Sequence, residues 1–213
     1  MQGRIRLFWL IFAVLFAALG LLACVYAFLF GSIYNQPPQG DPKETVQLFF
    51  DGVRVGNYRI AYSCLSDYFS LGLENEPESE EARQLYRALK GSYSYNLLGE
   101  STVDGINATQ RVSLRALNIR RTEDAVAQRV DAVLEETVKD LPDSSVYDED
   151  GKYLQSLTDT VYSRALEQVL GDQGSMESLK QDTVLEIHLV YRDGLWKIVT
   201  DRALMSALMG GEN

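Results

Sequence analysis

Between Leu7 and Phe30 the chain runs LFWLIFAVLFAALGLLACVYAFLF, twenty-four residues without a charge. At about 1.5 Å of rise per residue, a helix of that length crosses a hydrocarbon core roughly 30 Å thick with some tilt. The run is predicted to be a transmembrane helix over residues 7–30, and it constrains everything that follows. Arg4 and Arg6 precede it, while the first charge beyond it is Asp41. The positive-inside bias then places residues 1–6 in the cytoplasm and the chain from Gly31 onward outside. The expected product is a single-pass cell-membrane protein with a cytoplasmic N-terminus and an extracytoplasmic C-terminal domain.

Two other readings of the run export the same domain. A cleaved signal peptide has an apolar region of about 7–15 residues ending in small residues, and this run is longer with no A-x-A ending. Leu21-Leu22-Ala23-Cys24 resembles a bacterial lipobox, which makes Cys24 the candidate lipidation residue. In that reading a polar tether should follow the cysteine, whereas Val25 to Phe30 continue the apolar run.

Past the run, 18 basic residues face 30 acidic ones, a formal charge of −12. Such a domain repels nucleic-acid phosphates and anionic head groups, so no nucleic-acid partner is expected. Cys64 is the one thiol outside the run, which rules out a disulfide within the domain. With one histidine, His188, the chain also lacks the nitrogen and sulfur donors of a typical zinc site. Residues 31–40, GSIYNQPPQG, form a Pro- and Gly-punctuated linker that keeps the domain within roughly 35 Å of the bilayer.

Residues 41–213 are predicted to be one α+β domain. Asp41, Pro42 and Glu44 open a helix in capping-box order, with Val46, Phe49, Phe50 and Val53 on one face and Gly56 at its end. A short helix, Tyr58 to Ser66, should bury Ile60, Ala61, Cys64 and Leu65. The acid-rich stretch from Leu71 to Glu81 reads as a solvated loop, and a third helix, Glu81 to Lys90, directs Leu85 and Leu89 inward. Strands over Ser92–Val103 and Thr109–Ile119 flank a loop, Asp104–Asn107. In the second of them Val112, Leu114 and Ala116 alternate with Arg111, Ser113 and Arg115. A helical pair over about 122–171 follows, capped by Thr122 and resuming from Tyr153. A hairpin turning at Asp193-Gly194 and a helix from Arg202 to Met209 complete the domain. The loop at Asp148–Gly151 is not an EF-hand, because Val146 and Leu157 fall where an Asp and a Glu are needed.

Two stretches, Gly56 to Asp67 (GNYRIAYSCLSD) and Asp193 to Val199 (DGLWKIV), resemble helix-turn and closing-strand patterns of the NTF2-like (cystatin-like) superfamily. The resemblance covers roughly Asp41 to Met209 in element order. In layout it resembles uncharacterised membrane-anchored and lipoprotein members of the bacterial cell envelope. It implies helices packed on the concave side of a curved antiparallel sheet; the helical pair from Thr122 to Gly171 departs from that plan as an insertion that splits the strands into two hairpins. It also implies a cone-shaped pocket with Tyr62, Tyr93 and Tyr95 near its mouth, able to take a small apolar ligand. Superfamily isomerases and dehydratases suggest acid/base chemistry by those tyrosines with Asp67.

Motifs for other chemistry are missing. The chain has no G-x-S-x-G elbow, no S-x-x-K pair and no P-loop, and His188 falls on the strand face opposite Leu185, Ile187 and Leu189. Arg111 and Arg115, with Arg120 and Arg121 beyond them, make a basic row on an acidic domain; the row is expected to pair with local acids such as Glu186, and Arg111 and Arg115 are the candidate partner-binding residues. No cofactor or metal is implied. The expected function is a non-enzymatic membrane-anchored binding or assembly module that meets a protein partner or another copy of itself. A small-ligand sensor or carrier and an isomerase-like enzyme stand as alternatives.

Overall fold

A computed structural model describes residues 38–67 and 70–211. The apolar run, Cys24 and most of the linker lie outside these residues, and no described helix is long and apolar enough to cross a membrane. The chain divides after Pro38, and every element below belongs to the second unit.

Three helices come first: α1 (Pro42–Arg54), α2 (Tyr58–Ser63) and α3 (Glu80–Ser92). Asp41 caps α1 by accepting from the Lys43 amide at 2.8 Å. Val46, Phe49, Phe50 and Val53 of α1 are buried, as their spacing predicts. The second helix stops at Ser63, shorter than expected, because the chain leaves it to pair with the sheet. Leu65 bridges Ile198 in parallel, and the Ser66 amide donates to the Ile198 carbonyl at 2.8 Å. That exit turns Ala61, Tyr62, Cys64 and Leu65 inward and leaves Ile60 38% exposed, against the sequence expectation. The acid-rich loop is also less solvated than predicted: Leu71 and Leu73 are buried, and the Tyr86 hydroxyl donates to the Leu73 carbonyl.

Four antiparallel strands, β1 (Ser94–Asp104), β2 (Asn107–Leu117), β3 (Lys180–Arg192) and β4 (Leu195–Ile198), form an open sheet in chain order. The first hairpin turns over Gly105 and Ile106 alone, since Asp104 already pairs with Asn107. The second turns at Asp193 and Gly194, both with positive φ (53° and 80°), the type I′ geometry that suits the strand twist. A bulge interrupts β1 between Leu98 and Thr102. Gln110, a fully buried polar residue on the core face of β2, satisfies it. Its amide nitrogen donates to the Leu98 and Arg111 carbonyls, and its oxygen accepts from Ser101 at 2.7 Å.

Between β2 and β3 in sequence come α4 (Ile119–Val138), a 3-10 turn at Asp143–Ser145, α5 (Gln155–Gly171) and α6 (Gln173–Ser178). A final helix, α7 (Arg202–Leu208), follows β4. The inserted helices leave the sheet intact, for β2 and β3 pair without a break from Asn107↔Val190 to Leu117↔Lys180. The cap of α4 is Asn118 rather than Thr122. The Asn118 side chain accepts from the Arg121 amide, while Thr122 is buried one turn in and donates to the Asn118 carbonyl. The insertion packs chiefly on itself, α4 against α5, with Val126, Val133, Leu157, Val161 and Ala165 buried.

Candidate functional site

The helices α1, α3 and α7 pack on one face of the sheet. Phe49, Phe50 and Val53 from α1 share one buried cluster with Val112 and Leu114 of β2, Leu189 of β3 and Ile198 of β4, all at most 2% exposed. These side chains occupy the interior where the resemblance implies a cone. At the end of the sheet, a hollow of about 10 Å³ among Leu114, Asn118, Gln181, Thr183 and Gly210 has room for a single water.

The three candidate tyrosines stand on different elements and each has its own partner. Tyr62, on α2, donates to the Glu74 carboxylate, which also accepts from Ser70. Burial, then the hydrogen bond to Glu74 and the Glu74 charge, push the Tyr62 phenol well above its usual range. Tyr93, just past α3, is 8% exposed and donates to the Leu208 carbonyl; burial raises it too. Tyr95 of β1 is stacked on Phe50 with ring centroids 5.2 Å apart, and its hydroxyl lies 3.3 Å from the Gln47 carbonyl. Burial, followed by the Asp51 carboxylate, pushes its pKa up to about 12. Asp67 is exposed and accepts from Ser66, with no hydrogen bond to any of the three. Each phenol is thus held protonated, with its hydroxyl aimed at the protein's own carbonyls and carboxylates.

A cluster that the sequence reading missed lies next to them. Lys90 of α3 places its amine 5.1 Å from the Tyr58 ring centroid and 4.9 Å from that of Tyr86. Burial works against the ammonium, but the Tyr58 and Tyr86 hydroxyls outweigh it, and the Lys90 pKa ends above its ordinary value. A lysine held protonated in this way keeps a fixed positive charge against the two rings. The Tyr86/Lys90 spacing of i, i+4 on a helix was the available signal. Cys64 is similarly muted: buried, with its thiol pushed up by desolvation.

The opposite face of the sheet is open. Val184 is 54% exposed, and Arg111, Glu186 and His188 are exposed with it. The ladder aligns Leu98, Arg111 and Glu186 in one row, Asn96, Ser113 and Val184 in the next, and Ser94, Arg115 and Asp182 in a third. Arg115 is engaged locally, with Nη1 3.0 Å from Asp182 and Nη2 2.7 Å from Glu177. Sequence reasoning expected Glu186 to serve the arginine row; for Arg115 the register selects Asp182 instead. The Arg111 guanidinium has no ion pair or hydrogen bond among the described residues. Its row ends at Arg115, because Arg120 and Arg121 belong to the first turn of α4. His188 Nδ1 lies 3.5 Å from the Thr109 hydroxyl on the same open face.

Comparison with protein-family models, with curated proteins and with solved structures finds no significant match in any of the three.

Proposed function

We propose that this chain is a membrane-anchored, extracytoplasmic binding or assembly module of the bacterial cell envelope. In this reading its domain is NTF2-like, and it holds a protein partner, or another copy of itself, against the outer face of the sheet. The uncharged run at Leu7–Phe30, with Arg4 and Arg6 before it, supports the anchor. Three helices on one face of an antiparallel sheet, with an insertion between β2 and β3, support the fold reading.

The observation that carries the functional reading is the contrast between the two sheet faces. One is filled by Phe49, Phe50 and Leu189, and its tyrosine hydroxyls are bound internally. The other presents an unpaired Arg111 beside exposed Val184, a charged group next to an apolar one on a rigid platform.

A photo-crosslinking amino acid at position 111, activated in intact membranes, tests this. A discrete adduct that disappears with Val184→Glu, while a probe at exposed Arg59 leaves that adduct unformed, is the expected result. A chain that stays monomeric and uncaptured from position 111 would overturn the reading.

A further inference from the structure

The inserted helices end in a loop that is ordered and aromatic. Between Asp140 and Leu154 it carries five carboxylates and one lysine, together with Leu141, Tyr147 and Tyr153. Those three apolar residues are 41%, 42% and 44% exposed. The Tyr147 and Tyr153 rings lie nearly parallel, with centroids 5.2 Å apart and planes at 24°.

Several bonds hold this tip in place. Tyr147 and Tyr153 form an antiparallel bridge, and the Leu154 amide donates to the Val146 carbonyl at 3.0 Å. The Asp148 carboxylate accepts from the Asp150 and Lys152 amides at 2.9 Å, and Val146 is buried beneath as an anchor. A connection this long is ordinarily either loose or functional, and here its polar backbone groups are tied while its aromatic rings face out. Tyrosine is a common centre of binding energy because it offers a large rigid surface at small entropic cost.

We propose that the Tyr147–Tyr153 pair is a docking site for an arginine-bearing segment of a partner protein. A planar guanidinium can lie on the free face of either ring while its N–H groups reach the neighbouring carboxylates of Asp148, Glu149 or Asp150. A lysine ammonium reproduces the charge but not the planar stacking or the paired donors. Phosphate-bearing partners are repelled by the same carboxylates. A second copy of the chain would bring a domain of the same strongly negative sign. The tip is a surface separate from the sheet face, so the assignment does not depend on the Arg111 reading.

The test uses the full chain in detergent micelles with two fluorescent peptides of equal length, one alternating Arg and Gly and the other Lys and Gly. Anisotropy titrations should give an Arg-Gly affinity about fivefold above that of Lys-Gly, the scale of one stacked cation. Tyr147→Phe with Tyr153→Phe should keep that preference, and Tyr147→Ala with Tyr153→Ala should erase it. Both residues are exposed, and an unchanged thermal midpoint confirms that the alanine variant is folded. Equal affinity of the wild-type chain for the two peptides overturns the proposal, as does an arginine preference that survives the double alanine change. Self-association that is lost in the alanine variant would also overturn it, by giving the tip to a second copy.

Discussion

Tyr93 shows how much one buried hydroxyl carries in this domain. It sits after α3, almost out of solvent, and its donation to the Leu208 carbonyl ties the third helix to the last one. Tyr93→Phe removes the donor and leaves that carbonyl unpaired, a loss of about 1–3 kcal/mol that urea unfolding at neutral pH would read. The alkaline response follows from the same group. Tyr62, Tyr93 and Tyr95 all have pKa values raised by burial, above the value near 10 expected in the unfolded chain. The folded state therefore holds these protons more tightly. Their stabilisation is complete below about pH 10 and is lost as pH rises toward the folded values. Wild-type protein should lose stability steeply above about pH 10, and Tyr93→Phe, though weaker at neutral pH, should lose it less steeply. Parallel slopes for the two proteins between about pH 8 and pH 11 would exclude Tyr93 as a contributor. Gly210 is the other demanding position. Its φ is +69°, and a Cβ added there would lie 2.6 Å from the Leu117 carbonyl, which leaves no room for a side chain. Gly210→Ala should cost more than about 1 kcal/mol, since neither the backbone angle nor the neighbouring carbonyl can give way cheaply.

Among the elements, the decisive junction is where β2 hands over to α4. Asn118 caps α4, binds the Gln181 side chain on β3 and donates its amide to the Leu179 carbonyl, while the Ile119 amide donates to the Gly210 carbonyl. Asn118→Ala removes the cap, worth about 1 kcal/mol, and strands the partly buried Gln181 oxygen, worth about 1–3 kcal/mol more, a loss that thermal unfolding would read. Thr122→Val, at the position the sequence favoured as the cap, should cost less than half as much in the same experiment. Asn118 and Thr122 are both good capping types, and their order could be decided only by the register that carries β2 to Leu117 opposite Lys180. Strong periodicity was readable: α1 buries the four residues its spacing selects, and β3 turns His188 outward opposite Leu185, Ile187 and Leu189. Features made by distant contacts were not. Leu65 leaves its helix because Ile198 is there to pair with it, and Leu71 and Leu73 are buried although an acidic stretch surrounds them. For the candidate sites, the outward direction of Arg111 and Arg115 followed from alternation. The partners of the tyrosines, and the meeting of Tyr147 with Tyr153 across a turn, depend on tertiary geometry that local patterns do not encode.

For the molecule as a whole, charge sets a test that joins stability to binding. The chain beyond Phe30 carries 30 acidic residues against 18 basic ones. Its ion pairs, such as Arg83–Glu80 at 2.7 Å and Arg54–Asp51 at 2.9 Å, lie near the surface. Exposed pairs of this kind contribute about 0–1 kcal/mol each and weaken in salt. The uncompensated carboxylates act the other way, since self-repulsion disfavours the compact state and salt relieves it. Raising ionic strength from about 0.01 M to about 0.15 M shortens the Debye length from about 30 Å to about 8 Å, so repulsion across the domain is largely screened. The thermal midpoint should therefore rise by a few degrees, at about 2–4 °C per kcal/mol for a domain of this size. A falling midpoint would mean that the ion pairs dominate. Partner capture should respond with the opposite sign. An arginine-bearing segment is drawn to the acidic tip by the same field, so its association rate should drop over the same salt range while dissociation changes little. Stopped-flow binding and calorimetry on one preparation would separate the two effects. An association rate that holds steady or rises over that range, whatever the midpoint does, would mean that the carboxylates act on the fold alone and that the attraction assigned to the Tyr147–Tyr153 tip comes from apolar contact.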